Sequence, residues 1–287
     1  MPLRDTGKYD LKIKGEPKEV TEIRKKIIES FDNLEFVDEG HKYFLHRDDG
    51  TVEELTSVSN ISHLFQEEFN TEERSADYAK KHGETPEYWA DKWKFNSLKA
   101  TTTGTLVHAF AESYGWLKAG HPELITEECK CKYVPEKNWL VPTRPKEEAA
   151  MKCLDELNEN LHLVMNETKV YTTDFSTNYA GTFDALYYYK DPKNDANSGL
   201  VIMDWKTNAD IYNDYSRAHG KMLYTPFNGY YVENYSNYTI QLGCYQIPLE
   251  NIGLKVIARR LLWLKEDGSY EVVKINDVTK ELREFLK

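Results

Sequence analysis

Little in this chain points to a membrane, to a disulfide scaffold or to a surface coated in positive charge. No apolar run approaches the roughly 18 residues a spanning helix needs. The first fourteen residues are polar and charged, so no signal peptide is expected there. Cysteine is scarce: Cys129, Cys131, Cys153 and Cys244, with no Cys-x-x-Cys pair. A zinc or iron–sulfur site drawn from these four stays open, but free thiols in a reducing cytoplasm are the default. Positive charge is also short. The 37 Lys and Arg stand against 48 Asp and Glu, for a net charge of −11. That argues against whole-surface attraction to nucleic acid, yet it leaves room for a local basic groove or for an acidic site that recruits metal ions.

What is present suits a folded α/β protein. The 287 residues are enough for one large domain, or for a core with an appended lobe, and 20 of them are tyrosine. Helical spacing of Val20, Ile23, Ile27 and Ile28 predicts a helix over 17–31. A strand over 36–45, the turn Asp48-Asp49-Gly50 and a return strand over 52–58 read as a hairpin. Residues 66–100 are charged and read as helix in pieces, with Pro86 in a first turn and Trp89, Trp93 and Phe95 packing between helices. Further on, a helix is expected over 146–161, strands over 163–172 and 179–189, and a polar, Tyr-rich excursion over 207–238. A helix over 239–249, a hairpin over 256–275 and a terminal helix over 278–287 complete the reading.

The most informative stretch is 200–208. Leu200, Val201, Ile202 and Met203 form a continuous apolar run, as in a strand buried on both faces. The run ends in Asp204-Trp205-Lys206. At i and i+2 of a strand, the carboxylate and the ammonium point to one side while Trp205 points to the other. Taken alone, this is either a surface ion pair or a placed acid and base. A second carboxylate, Asp184, sits inside the aromatic strand 179–189, where burial demands a metal, a proton or a cationic partner. Upstream, a helix predicted to begin near Gly104 carries His108 and Glu112 one turn apart on one face. Glu167 lies on the strand before Asp184. Gln241 and Tyr245 share a face of the helix over 239–249.

In order, these residues resemble the PD-(D/E)xK nuclease superfamily, and more narrowly its RecB-like exonuclease branch, including phage-encoded and mitochondrial single-strand exonucleases. Gly104 and His108 match a helical Gly-x-x-x-His, and Gly181 to Asp184 a Gly-x-x-Asp strand. Asp204-Trp205-Lys206 match Asp-x-Lys, and Gln241 with Tyr245 a helical Gln-x-x-x-Tyr. The match spans residues 101–250. No helicase region accompanies it, and the cysteines lack the spacing of the iron–sulfur members. The resemblance implies a restriction-endonuclease-like core with a mixed central sheet flanked by helices. That core would cover 101–287, behind an N-terminal, mainly helical lobe over 1–100. It implies a Mg²⁺- or Mn²⁺-dependent phosphodiester hydrolase acting on linear or single-stranded DNA in repair, recombination or phage DNA processing, in the cytoplasm (a host's, if phage-encoded). A structure-specific endonuclease, an RNA-directed nuclease and a non-catalytic binding protein are the alternatives.

The residues support that chemistry in their own right. Asp184 and Asp204 are hard oxygen ligands suited to Mg²⁺ or Mn²⁺, and the backbone carbonyl of Trp205 lies between two site residues. Lys206 is placed to orient or deprotonate water, or to stabilise the transition state. The resemblance puts His108 at the metal or the phosphate, and Gln241 and Tyr245 against the substrate. Glu112 and Glu167 are second-tier candidates.

Overall fold

The computed structural model describes residues 15–287; the expectation about a leader falls on residues outside these. The chain runs α1 (Lys18–Phe31), β1 (Leu34–Val37), β2 (Lys42–His46), β3 (Val52–Ser57), α2 (Val58–His63), α3 (Thr71–His82) and α4 (Pro86–Lys118). It continues through α5 (Glu127–Lys130), β4 (Tyr133–Val134), β5 (Trp139–Leu140), α6 (Pro145–Asp155), β6 (Leu161–Thr172), β7 (Tyr179–Tyr189) and β8 (Gly199–Lys206). The last elements are α7 (Asp214–Ala218), α8 (Asn234–Asn251), β9 (Val256–Leu264), β10 (Tyr270–Lys274) and α9 (Thr279–Leu286).

Eight strands form one mixed sheet in the order β1-β2-β3-β7-β8-β9-β10, with β6 also paired to β7. Helices cover both faces, as expected for the α/β class. One core joins the sheet to α1, α2, α8 and α9 through residues such as Ile27, Ile61, Ile240 and Leu282. The other joins it to α4, α5 and α6 through Val107, Phe110, Cys129 and Ala149. β8 shows why a strand with a fully apolar run suits this position. Leu200 and Ile202 enter the first core, while Val201, Met203 and Trp205 enter the second. Among the described residues, no helix is long and apolar enough to cross a membrane.

The pairing of β7 creates the site. β6 lies antiparallel along β7 from Tyr179 to Tyr189 and so fills one edge. Two other strands must share the opposite edge. β3 pairs there only with Tyr179 and Ala180, and β8 only from Ala185 to Tyr189. Between them, Gly181, Thr182, Phe183 and Asp184 face a notch with no strand in it. An interrupted edge of this kind leaves space in the middle of a sheet for side chains and a ligand.

Several expected boundaries move. The strand over 36–45 is two strands, because the backbone reverses at Gly40 and His41, with φ of +82° and +53°. The helix that was to begin near Gly104 is one helix from Pro86 to Lys118. Its start is set by Pro86 in the first turn and by Thr85, whose hydroxyl accepts the Tyr88 N–H. Gly104 interrupts nothing, and the hydroxyls of Thr102 and Thr105 bond back to Leu98 and Thr101. A Cβ at Gly104 would meet Thr207 Oγ1 at 3.4 Å, an ordinary contact, so the glycine is neither a cap nor sterically required. The residue-100 division therefore falls inside α4, and the strands over 34–57 join the same sheet as β7. The helix over 146–161 ends at Asp155, the strand that follows begins at Leu161, and α8 starts at Asn234, inside the Tyr-rich stretch. Trp89 and Trp93 do pack against Tyr78 of α3, but Phe95 is 66% exposed.

Candidate active site

The notch opens into a cleft of about 670 Å³. It gathers His108 and Glu112 from α4, Glu167 from β6, Asp184 from β7, Asp204 and Lys206 from β8, and Gln241 and Tyr245 from α8. Residues separated by more than a hundred positions thus meet because five elements end or pass at one break in the sheet. Trp205 does not line the cleft with its side chain, which is buried in the core behind it. Burial of a side chain of that size contributes on the order of 2–3 kcal/mol, which fixes the strand end on which Asp204 and Lys206 stand.

Asp204 is 1% exposed. Burial, then the nearby Asp184 carboxylate, pushes its carboxyl up to about 6, and Lys206 offsets part of that rise. The Lys206 ammonium lies 2.5 Å from Asp204 Oδ2. That ammonium is the charged partner of this buried oxygen. For Lys206 itself, burial opposes the charge, but Asp204 and Asp184 outweigh it and raise the ammonium's pKa. The Tyr238 ring lies 4.3 Å from the same Nζ and adds a cation–π contact. Tyr238 went unread as a site neighbour because it lay in the Tyr-rich stretch. Only the start of α8 at Asn234 turns it back toward β8.

Asp184 is held differently. Past the pair Ala185–Met203 the β7–β8 ladder stops, and the Trp205 N–H donates to Asp184 Oδ2 at 2.7 Å. In an extended strand a residue's N–H and C=O leave from the same edge. Leu200, five residues earlier, sends its N–H to Lys255 on the β9 side. The Trp205 carbonyl therefore faces the β7 side, toward the notch. His108 Nδ1 stands 3.5 Å from Asp184 Oδ2.

Glu167 gains weight from its geometry. It sits opposite Asp184, between the pairs Asn166–Ala185 and Thr168–Phe183. Its φ is +44°, a left-handed conformation that costs a non-glycine residue about 1–3 kcal/mol. Burial, then Asp184, Glu112 and Asp204, raise its carboxyl well above the usual range. His108, Glu167 and Asp184 each bring one ligand atom to within 4.8 Å of the others. Sequence carried no sign of this rank, because strain and cross-strand position do not show in residue type. Glu112 lines the cleft, and its backbone carbonyl accepts from Asn166 at 3.3 Å.

On the far side, Gln241 Nε2 donates to the Tyr245 hydroxyl at 2.8 Å. Tyr245 also explains Gly181. A Cβ there would lie 2.6 Å from Tyr245 Cε1 and 2.9 Å from Val58 Cγ2, so only glycine lets α8 and α2 close on β7. The four cysteines stay apart from all of this. Cys129 and Cys153 are buried in one core, Cys244 is buried in the other, and Cys131 is exposed. Burial pushes the three buried thiols up.

No protein-family model and no curated protein matches the chain. Among solved structures, a protein of Eubacterium rectale provisionally named an exonuclease is similar at a TM-score of 0.37. It is 17% identical, over 81% of this chain and 77% of that one. Function therefore has to be read from the cleft itself.

Proposed function

We propose that the chain is a metal-dependent DNA exonuclease of the PD-(D/E)xK type, in the RecB-like branch, acting on linear or single-stranded DNA. The observation that carries this reading is the meeting of Asp184, Asp204 and Lys206 at a single break in the sheet, with His108 beside Asp184. An ordinary surface ion pair would need neither the second carboxylate nor the histidine. The site fits a divalent cation. Two carboxylates, Glu167 and Asp184, converge with the His108 imidazole, and Asp204 lines the same cleft. Asp184, Asp204, the Trp205 carbonyl and His108 would hold Mg²⁺ or Mn²⁺, with Glu167 at the same cluster. When bound, such an ion neutralises phosphoryl charge and lowers the pKa of water.

The chain's own groups divide the remaining work. Lys206, kept as an ammonium by Asp204 and Asp184, is a donor: it orients water and offsets charge growing on the phosphoryl oxygens. Asp204 holds Lys206 in place, and the buried Trp205 fixes both. Gln241 and Tyr245 line the cleft opposite and position the strand.

End-labelled single-stranded and linear duplex DNA, incubated with Mg²⁺ or Mn²⁺, tests the reading. Stepwise shortening is expected, with Lys206→Ala slower by two orders of magnitude or more. Cutting of closed circular DNA would replace exonuclease by endonuclease, and cutting of RNA alone would change the substrate. No hydrolysis of any of these would leave a binding protein on a nuclease-like scaffold.

A further inference from the structure

The cleft extends past the carboxylates to a wall made by the β1–β2 hairpin, where Phe36, His41 and Tyr43 line it. Ring centroids of Phe36 and His41 are 4.9 Å apart, edge to face, and Tyr43 lies 4.9 Å from Phe36. Tyr43 is buried, and its hydroxyl is hydrogen-bonded to Thr182 Oγ1 at 3.1 Å. Thr182 stands two residues before Asp184 on β7, about 7 Å along a strand. The aromatic group is thus tied to the unpaired edge of β7, one nucleotide's reach from the carboxylates.

Burial does not account for His41. It is exposed, and its φ of +53° is a conformation that a second glycine beside Gly40 would adopt at no steric cost. Asp38 lines the cleft beside the hairpin, and Lys169 lines it opposite Thr182 across the β6–β7 ladder. The rings of Phe36, His41 and Tyr43 are the flat part of this wall.

We propose that Phe36 and His41, whose rings meet edge to face with Tyr43 behind them, form an aromatic corner, a stacking platform one ring wide, for the nucleobase next to the scissile phosphate, which makes this a subsite for an unpaired strand. The proposal rests on the nuclease reading of the cleft. Aromatic rings stack on any base, so the platform selects single-strandedness and not sequence. A base inside a duplex is already stacked on its neighbours and must be extruded before it reaches such a wall.

Binding of an eight-residue oligothymidylate carrying 2-aminopurine at one end or the other, in Ca²⁺, tests this. Quenching of the fluorophore is expected at one of the two ends. His41→Gly keeps the left-handed turn, and Phe36→Leu keeps an apolar wall. Each should abolish the quench and raise Kd about tenfold. Replacing that terminal nucleotide by an abasic one should weaken wild-type binding about tenfold and leave the two variants equal to wild type. Thermal melts confirm that the variants fold. Unquenched 2-aminopurine at both ends overturns the subsite. So do variants that keep the wild-type ratio of base-containing to abasic affinity, and so does failure to bind the strand at all. Hydrolysis with Mn²⁺ is scored separately. A quench without cleavage keeps the subsite and removes the nuclease reading, and cleavage without a quench does the reverse.

Discussion

Asp184 and Asp204 arrive at one cleft from adjacent strands, yet the chain holds them in opposite ways. Asp204 is sealed at the end of a strand buried on both faces and is paired with Lys206 from the same strand. Asp184 stands on an interrupted edge, bonded by the Trp205 N–H and neighboured by His108 and Glu167 from two other elements. β8 thus brings its acid with a counter-charge already attached. β7 brings an acid whose neighbours carry ligand-type atoms within 4.8 Å. On the proposed function, a cation entering the cleft would compete with Lys206 for Asp204 but meet a ready ligand set at Asp184.

The largest effects that test this contrast are on turnover. Asp184→Asn and Asp204→Asn should each reduce DNA hydrolysis by roughly two orders of magnitude or more. They should part company in metal binding. Titration with Mn²⁺, followed calorimetrically without DNA, should show a loss of affinity about tenfold greater for Asp184→Asn. Equal losses would erase the distinction between the two strands. Near-wild-type turnover in either variant would remove that residue from the metal site.

The next effect is a pH dependence of stability, placed on the β8 side. The folded-state pKa of Asp204 is raised from 3.8 to about 6, so the folded protein binds this proton more tightly than the unfolded chain does. Its contribution is full below pH 4 and is lost as pH rises through 6, a change of about 3 kcal/mol. Glu167 shifts in the same direction and steepens the loss. Denaturant unfolding without divalent cation should therefore show the wild type losing stability relative to Asp204→Asn between pH 4 and pH 7. Added Mn²⁺ should restore it, and Asp204→Asn should flatten the slope. A slope unchanged in that variant would mean that Asp204 is ionised in the fold at little cost.

The same contrast explains what could be read in the residues. β8 was legible because its signal is local: an apolar run ending in alternating charges fixes burial, face and pairing within seven residues. The ordered acids and the helical His108, Gln241 and Tyr245 were legible as types at spacings. The notch was not, because it depends on β3 and β8 sharing one edge of β7, a relation between strands more than a hundred residues apart. Gly104 misled for a physical reason. A glycine in mid-helix looks like a boundary, yet the helix runs through it unbroken from Pro86 to Lys118. His41 was missed, and Glu167 was ranked only second-tier, because their significance lies in a positive φ, which residue type does not announce for histidine or glutamate.

The smallest predicted effect separates positioning from chemistry on the helix that faces both strands. Tyr245 is buried, its ring packs against Phe183, and its hydroxyl accepts from Gln241. Burial, then the charge of Asp204, raises the phenol well above its usual range, so it stays protonated. Tyr245→Phe keeps the ring that Gly181 and Val58 pack against and removes only the hydroxyl, so stability should change by about 1 kcal/mol. The Gln241 amide then loses its acceptor and turns toward the cleft. A group that only positions the strand should show this as a rise in KM with kcat falling less than tenfold. A loss of kcat as deep as that of Asp184→Asn would instead make the phenol part of the proton traffic, and the contrast between β7 and β8 would then have to include α8 as a third contributor to the reaction.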